Sequence, residues 1–218
     1  LAYSSPVAVQ ATVTTANAHA AFLIRDNIRF RNHIAQAYLE AIESAQETIF
    51  LANAYFLPGV RFRRALIDAS RRGVRIAILL QGQSDHPWVH WATQKLYRHF
   101  LARGIRIFEY QKGFLHAKVA AIDGIWSTVG SSNIEPLSFL ISKEANVFIL
   151  DRPFTGTLIQ SLEQAIEESS VEIVPESLLH QSWLARIRSW ICYNAVRWII
   201  GLVGYDPSAW RSEDEESS

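Results

Sequence analysis

The residues able to do chemistry crowd into one stretch, FLHAKVAAIDGIWSTVGSSN, residues 114–133. In an extended chain, residues two apart point the same way. His116 and Lys118 therefore share one face, and Leu115, Ala117 and Val119 share the other. Burying an ammonium group in a sheet is costly without an anionic partner. The pair makes sense if its face looks onto a phosphate. The lysine would neutralise oxygen charge, and an imidazole, which titrates near neutrality, would attack phosphorus or carry protons. The turn GSSN brings Ser131 and Asn133 as neutral donors for the same oxygens. Glu144, in KEANV, is a candidate acceptor for the other ring nitrogen of His116, which would fix the tautomer. Singly, each residue has a plainer reading. A strand histidine is usually a core or edge residue, and a strand lysine an edge solubiliser. Asp123 before Gly124 is a turn residue, and Glu144 a solvated strand end.

These residues need a scaffold, and the chain alternates to build one. Residues 30–46 put Ile34, Ala37, Tyr38, Ala41 and Ile42 on one helical face. Apolar strands follow at 48–56, 74–81 and 105–110, separated by helices at 61–73 and 88–104 that each stop at a glycine. Further strands are expected at 115–122, 126–129 and 144–150, and a helix at 156–169. Helices alternating with unbroken apolar strands imply an α/β fold, a mixed, mostly parallel sheet flanked by helices.

Composition narrows the class. The 218 residues are 49% hydrophobic and 19% charged, enough for one α/β domain with a sizeable core. Lys plus Arg equals Asp plus Glu at 21 each, so no global basic field supports nucleic-acid binding. The single cysteine, Cys192, excludes an internal disulfide and fits a reducing compartment. The chain starts at Leu1 and holds no methionine, which we read as a piece of a longer protein; the first 24 residues lack the pattern of a signal peptide. The segment 176–205 mixes tryptophan, arginine and aliphatics. That suits either a membrane interface or packing on a further domain, and it is too interrupted to span a bilayer. Four regions are expected: a lead-in at 1–21, a catalytic half-domain at 22–175, the tryptophan-rich helical tail at 176–205, and an acidic disordered tail at 206–218.

Taken together, His116, Lys118, Asp123, Gly130, Ser131 and Asn133 match every fixed position of a signature: His, any residue, Lys, four residues, Asp, six residues, then Gly-Ser-any-Asn. This resembles the phospholipase D superfamily and implies its α/β/α sandwich. Longer stretches, including RDNIRFRNHIAQAYLEAIESAQETIFLANAYFLPG and GSSNIEPLSFLISKEANVFILDR, resemble the second half of the bacterial cardiolipin synthases, the B type in particular, over about residues 22–205. The resemblance implies phosphatidyl transfer through a phosphohistidine, with phosphatidylglycerol as donor. It implies His116, Lys118, Asp123 and Glu144 as catalytic residues, with Asp123 in a supporting role. It implies Lys118, Ser131 and Asn133 as phosphate holders alongside His116, with no metal and no cofactor. Tyr55, Phe56, Asp85 and His86 would line the lipid site, and the protein would sit peripherally on the cytoplasmic face of a bacterial cell membrane.

In that family two such motifs make one active site, one histidine attacking and the other protonating the leaving group. This sequence holds one His-any-Lys pair. We therefore expect a partner motif, from a preceding half or from a second copy in a homodimer. A single-motif phosphodiesterase or nuclease acting as a homodimer is the alternative reading.

Overall fold

The computed structural model describes residues 19–25, 32–83, 87–135, 143–179 and 182–202. Eight strands form one sheet in the order β1-β7-β6-β5-β2-β3-β4-β8. They are β1 (His19–Arg25), β2 (Thr48–Asn53), β3 (Arg75–Gln81), β4 (Arg106–Tyr110), β5 (Lys118–Ile122), β6 (Trp126–Gly130), β7 (Glu144–Leu150) and β8 (Ser170–Ile173). The helices are α1 (His33–Ser44), α2 (Val60–Arg71), α3 (Pro87–Leu101), α4 (Arg152–Ser169), α5 (Pro175–Leu179) and α6 (Trp183–Leu202).

The sheet separates two apolar cores. On one face, Ile49, Leu51, Ile78 and Ile122 pack under α1, α2 and α3, with Leu178 of α5 and Val196 of α6 closing the edge. On the other, Ala52, Leu79, Phe108 and Val119 pack against Leu162 and its neighbours on α4. A strand buried on both faces reads as an unbroken apolar run, and that run suggested parallel pairing. The sheet is mixed, but mostly parallel is wrong. Only β2–β3 and β3–β4 pair parallel, while the other five pairs are antiparallel. Burial on both faces comes from helices on both sides and does not depend on strand direction.

Two edge strands were not expected. β1 begins before residue 22 and pairs along the whole of β7. Five of its seven side chains are exposed, Phe22 and Ile24 among them, so its apolar run AAFLI is not a core run. β8 is a four-residue edge pairing with β4. The glycine stops do hold. After α2, Gly73 takes φ +92, and the Val74 N–H reaches back to the Ala69 carbonyl at 3.1 Å. α4 starts on Asp151, whose carboxylate accepts from the Phe154 N–H at 2.7 Å.

β5 and β6 form a hairpin around Asp123 and Gly124, both at positive φ (50 and 64), with the Ile125 N–H donating to the Ile122 carbonyl at 3.2 Å. That is the pattern Asp-Gly turns favour. The Asp123 carboxylate accepts from three backbone N–H groups, Gln46 (2.8 Å), Glu47 (2.8 Å) and Thr48 (2.9 Å), and so ties the hairpin to the start of β2.

Candidate functional site

The site lies at the end of the sheet where β5 begins. Pairing starts at Lys118, later than the expected residue 115, yet the extended alternation runs on upstream. The Ala54 N–H donates to the Ala117 carbonyl at 3.0 Å. Leu115, Ala117 and Val119 pack against the α4-side core, so His116 and Lys118 face the other way. His116 is exposed at the rim. Lys118 is only 6% exposed, and its ammonium donates to the His116 backbone carbonyl at 3.0 Å.

The segment that carries His116 is held by Gln81, a buried amide at the end of β3. Its Oε1 accepts from the Leu115 N–H, and its Nε2 donates to the Gly113 carbonyl at 3.3 Å. Nothing in the sequence marks Gln81 except an amide ending an apolar strand, where burial requires partners.

GSSN arrives from the neighbouring strand. Gly130 stands opposite Asn146, and a Cβ there would run into the Asn146 side chain and the Ala145 carbonyl. Only glycine fits. The Ser131 hydroxyl donates to Glu144 and accepts from the Ala145 N–H at 3.1 Å. A hydroxyl has one proton. In this structure the Ser131 hydroxyl braces Glu144, so its proton is not directed at a phosphate. The Asn133 carboxamide oxygen accepts from the Tyr55 N–H at 3.4 Å, leaving its NH2 as the donating end.

Asn53 binds the two loops together, and sequence reasoning missed it. It is the register partner of Lys118, fully buried, and its Oδ1 accepts from the Ile134 N–H at 3.0 Å. The Leu57 N–H then donates to the Ile134 carbonyl at 2.8 Å, fixing the β2 loop beside the loop after β6. An asparagine in the apolar run TIFLANAYF was the available signal. Arg25, also missed, ends β1 directly opposite Glu144 and is fully buried. Asn146, buried on β7, donates to Thr128 Oγ1 at 3.1 Å. Asn53, Lys118, Asn146, Glu144 and Arg25 thus form a polar row across the end of an otherwise apolar sheet face. The row carries two buried cations, Lys118 and Arg25, beside the Glu144 carboxylate.

Asp123 does not belong to the row. It follows the last residue of β5, whereas Lys118 is the first, so about 17 Å of strand separates them. The contacts of Asp123 are structural ones, tying the β5–β6 hairpin to residues 46–48. Desolvation pushes its carboxyl up, but the backbone N–H bonds from Thr48, Gln46 and Glu47 outweigh it and hold it below 3.8. The depressed value gives the sign. The stabilisation is complete above the ordinary carboxylate range and is lost as pH falls through the folded value. Asp123→Ala should cost roughly 1–2 kcal/mol at neutral pH, modest because the group is partly exposed. The loss should shrink as pH falls through the folded value, where the Asp123 carboxyl takes up a proton and neither protein carries a charge at that position. Urea melts at several pH values check this, and a pH-independent difference would refute it.

Tyr55 and Phe56 border a recess between β2, β3 and α3. Phe56 does so from the core, with its ring 6.0 Å from Phe100. The far wall carries His90, Thr93 and Tyr97. Tyr97 donates to Glu109 at 2.8 Å, and His90 lies 3.8 Å from the same carboxylate. Burial lowers the His90 pKa against the opposing pull of Glu109, with Arg188 adding to the lowering. Asp85 and His86, the other expected lining residues, lie outside the described residues. Among the described residues no cluster of histidine, cysteine and carboxylates could hold a metal ion.

Comparison with known proteins fits this geometry. The family model described as cardiolipin synthase, phospholipase D-like domain, matches residues 38–168. Cardiolipin synthase B of Escherichia coli (strain K12) is 40% identical over 184 residues, which cover 84% of this chain and 45% of that protein. Cardiolipin synthase B of Salmonella typhi is 37% identical over 191 residues, covering 88% of this chain and 46% of that protein. The chain spans about half the length of these curated relatives. In fold it is similar to Nuc of Salmonella typhimurium, a phospholipase D family member (TM-score 0.61, 18% identity, 72% of this chain and 99% of that one). It is also similar to phosphatidylserine synthase of Haemophilus influenzae Rd KW20 (TM-score 0.66, 12% identity, 85% of this chain and 47% of that one).

Proposed function

The chain belongs to the phospholipase D-like family of cardiolipin synthases, and on that premise we propose that it is the part of a phosphatidyltransferase that supplies one of two imidazoles to a shared active site. One imidazole attacks the phosphorus of a phosphatidylglycerol, forming a P–N bond as the P–O bond to the headgroup glycerol breaks. The other protonates that departing oxygen. A hydroxyl of a second lipid then attacks the phosphohistidine, gives its proton to the second imidazole, and frees the first. His116 is one of the pair, and the second comes from a motif outside these 218 residues or from another copy of the chain.

One observation carries the reading. A lysine 6% exposed sits two residues from an exposed histidine, on the same sheet face as a row of buried polar groups. Such a lysine is worth its desolvation only where an anion repays it. Asn133 has the donating end of its carboxamide at the β2 loop, where its oxygen accepts from the Tyr55 N–H two residues past Asn53, the register partner of Lys118, and Glu144, braced by Ser131, stands at the same end of the sheet to orient an imidazole. Zero formal net charge supports a lipid over a nucleic acid as substrate.

The test is product analysis. Incubated with phosphatidylglycerol vesicles and no added metal, the intact protein should release cardiolipin and glycerol in equal amounts. Phosphatidic acid alone, or cleavage of DNA with no lipid product, would overturn the proposal.

A further inference from the structure

The last helix is docked with its apolar side outward. At 100° per residue, Ser189, Cys192, Tyr193 and Val196 of α6 share the face that packs on the domain. Ser189 and Val196 are buried, and Cys192 and Tyr193 pack against the core. Tyr193 accepts from Arg63 at 2.9 Å, and the Arg188 guanidinium stacks 4.0 Å from the Trp91 ring of α3. The opposite face exposes Trp183 (67%), Leu184, Ile187, Trp190, Ile191 and Trp198 (73%). These six fall within a sector of roughly 120°. Asn194 lies in the same sector, with its amide satisfied by the Trp190 carbonyl at 2.8 Å.

A helix packed on one side normally turns polar residues to water. A contiguous apolar stripe marks a surface that something covers. Charge says what. From 183 to 202 the helix has three arginines and no aspartate or glutamate, and Arg186 and Arg188 flank the stripe on either side. Tryptophan with arginine beside aliphatics is the composition of a helix lying in a bilayer interface, where indoles sit at headgroup depth and guanidinium groups meet lipid phosphates. No helix among the described residues is long and apolar enough to cross a membrane.

We propose that the outward face of α6 is a docking surface for an anionic phospholipid bilayer. The proposal rests on the lipid substrate argued above. α6 is packed on α3, and α3 lines the recess and holds the Phe56 carbonyl through Thr93 at 2.8 Å. Docking α6 therefore keeps the recess beside the site at the lipid surface.

Vesicle flotation of the full chain tests it without any turnover. The chain should float with phosphatidylglycerol vesicles, less with phosphatidylcholine, and less as salt rises. The double substitution Ile187→Asn with Trp190→Ser should lower partitioning on the order of tenfold. Arg186→Glu, a fully surface change that leaves packing alone, should lower it several-fold. Unchanged flotation of both variants, or equal binding to the two lipids, overturns the proposal. So does a loss of self-association in the stripe variant with vesicle binding intact, because a second copy would then be what covers the stripe. Flotation without cardiolipin synthesis would leave the docking surface standing and remove the catalytic reading. Unimpaired synthesis by variants that still float would do the reverse.

Discussion

His116→Ala should lower phosphatidyl transfer by at least about 10³-fold, the scale of losing a nucleophile or a positioned general acid, while leaving thermal stability nearly unchanged. The two halves of this expectation come from different observations. Stability is spared because the imidazole is exposed at the rim. What the fold uses at this position is the backbone carbonyl, which accepts from Lys118, and alanine keeps that carbonyl. Surface substitutions of this kind stay within about 0.5 kcal/mol. Activity is lost because neither half of the transfer proceeds without its imidazole. Initial rates on phosphatidylglycerol vesicles beside a thermal melt make the measurement. A variant that keeps a tenth of the activity would sink the catalytic assignment. A variant that melts far below the parent would show that the side chain supports the fold. Labelled phosphatidylglycerol, quenched in alkali, separates the two chemical roles: phosphate on His116 identifies the attacking imidazole, and an unlabelled His116 in an active protein identifies the acid.

What the sequence made legible follows from what a one-dimensional pattern carries. The period-2 alternation around His116 and Lys118 held, because one side of it is anchored by Leu115, Ala117 and Val119 in a real core. The joint spacing of His116, Lys118, Gly130, Ser131 and Asn133 was informative because β5, its turn and β6 are consecutive, so sequence distance and spatial distance agree. Where they disagree, the reading failed. Asp123 shares the motif but sits at the opposite end of β5, tied to residues 46–48 of a distant segment. Asn53, Gln81 and Arg25 reach the site from β2, β3 and β1, and no spacing rule connects them to His116. Strand direction was hidden because burial on both faces looks the same in either orientation. β1 was hidden because the strand it pairs with, β7, lies more than a hundred residues along the chain.

Lys118 should show the opposite behaviour to Asp123, and the contrast separates the chemistry of the motif from its architecture. Lys118 is buried at the start of β5, beside fully buried Asn53 and across from the GSSN strand. Methionine keeps the volume and removes both the desolvation cost of the charge and its hydrogen bond to the His116 carbonyl, two effects of opposite sign. Lys118→Met should therefore change stability by no more than about 1 kcal/mol. It should also remove the cation that meets the developing charge on the phosphoryl oxygens, which costs roughly 10²–10³-fold in turnover. Lys118→Arg should not restore the rate. The guanidinium is planar and larger than the ammonium, and the site is built around a compact point charge. Asp123→Ala, by contrast, should lose stability and keep most of its turnover at temperatures where it is folded. Rates and urea melts on the three proteins decide the matter together. If Lys118→Met loses stability and activity in proportion, the lysine is a structural residue and the anion-binding reading of the polar row fails. If it loses turnover alone, the buried amine serves the chemistry of a bound phosphate and not the fold.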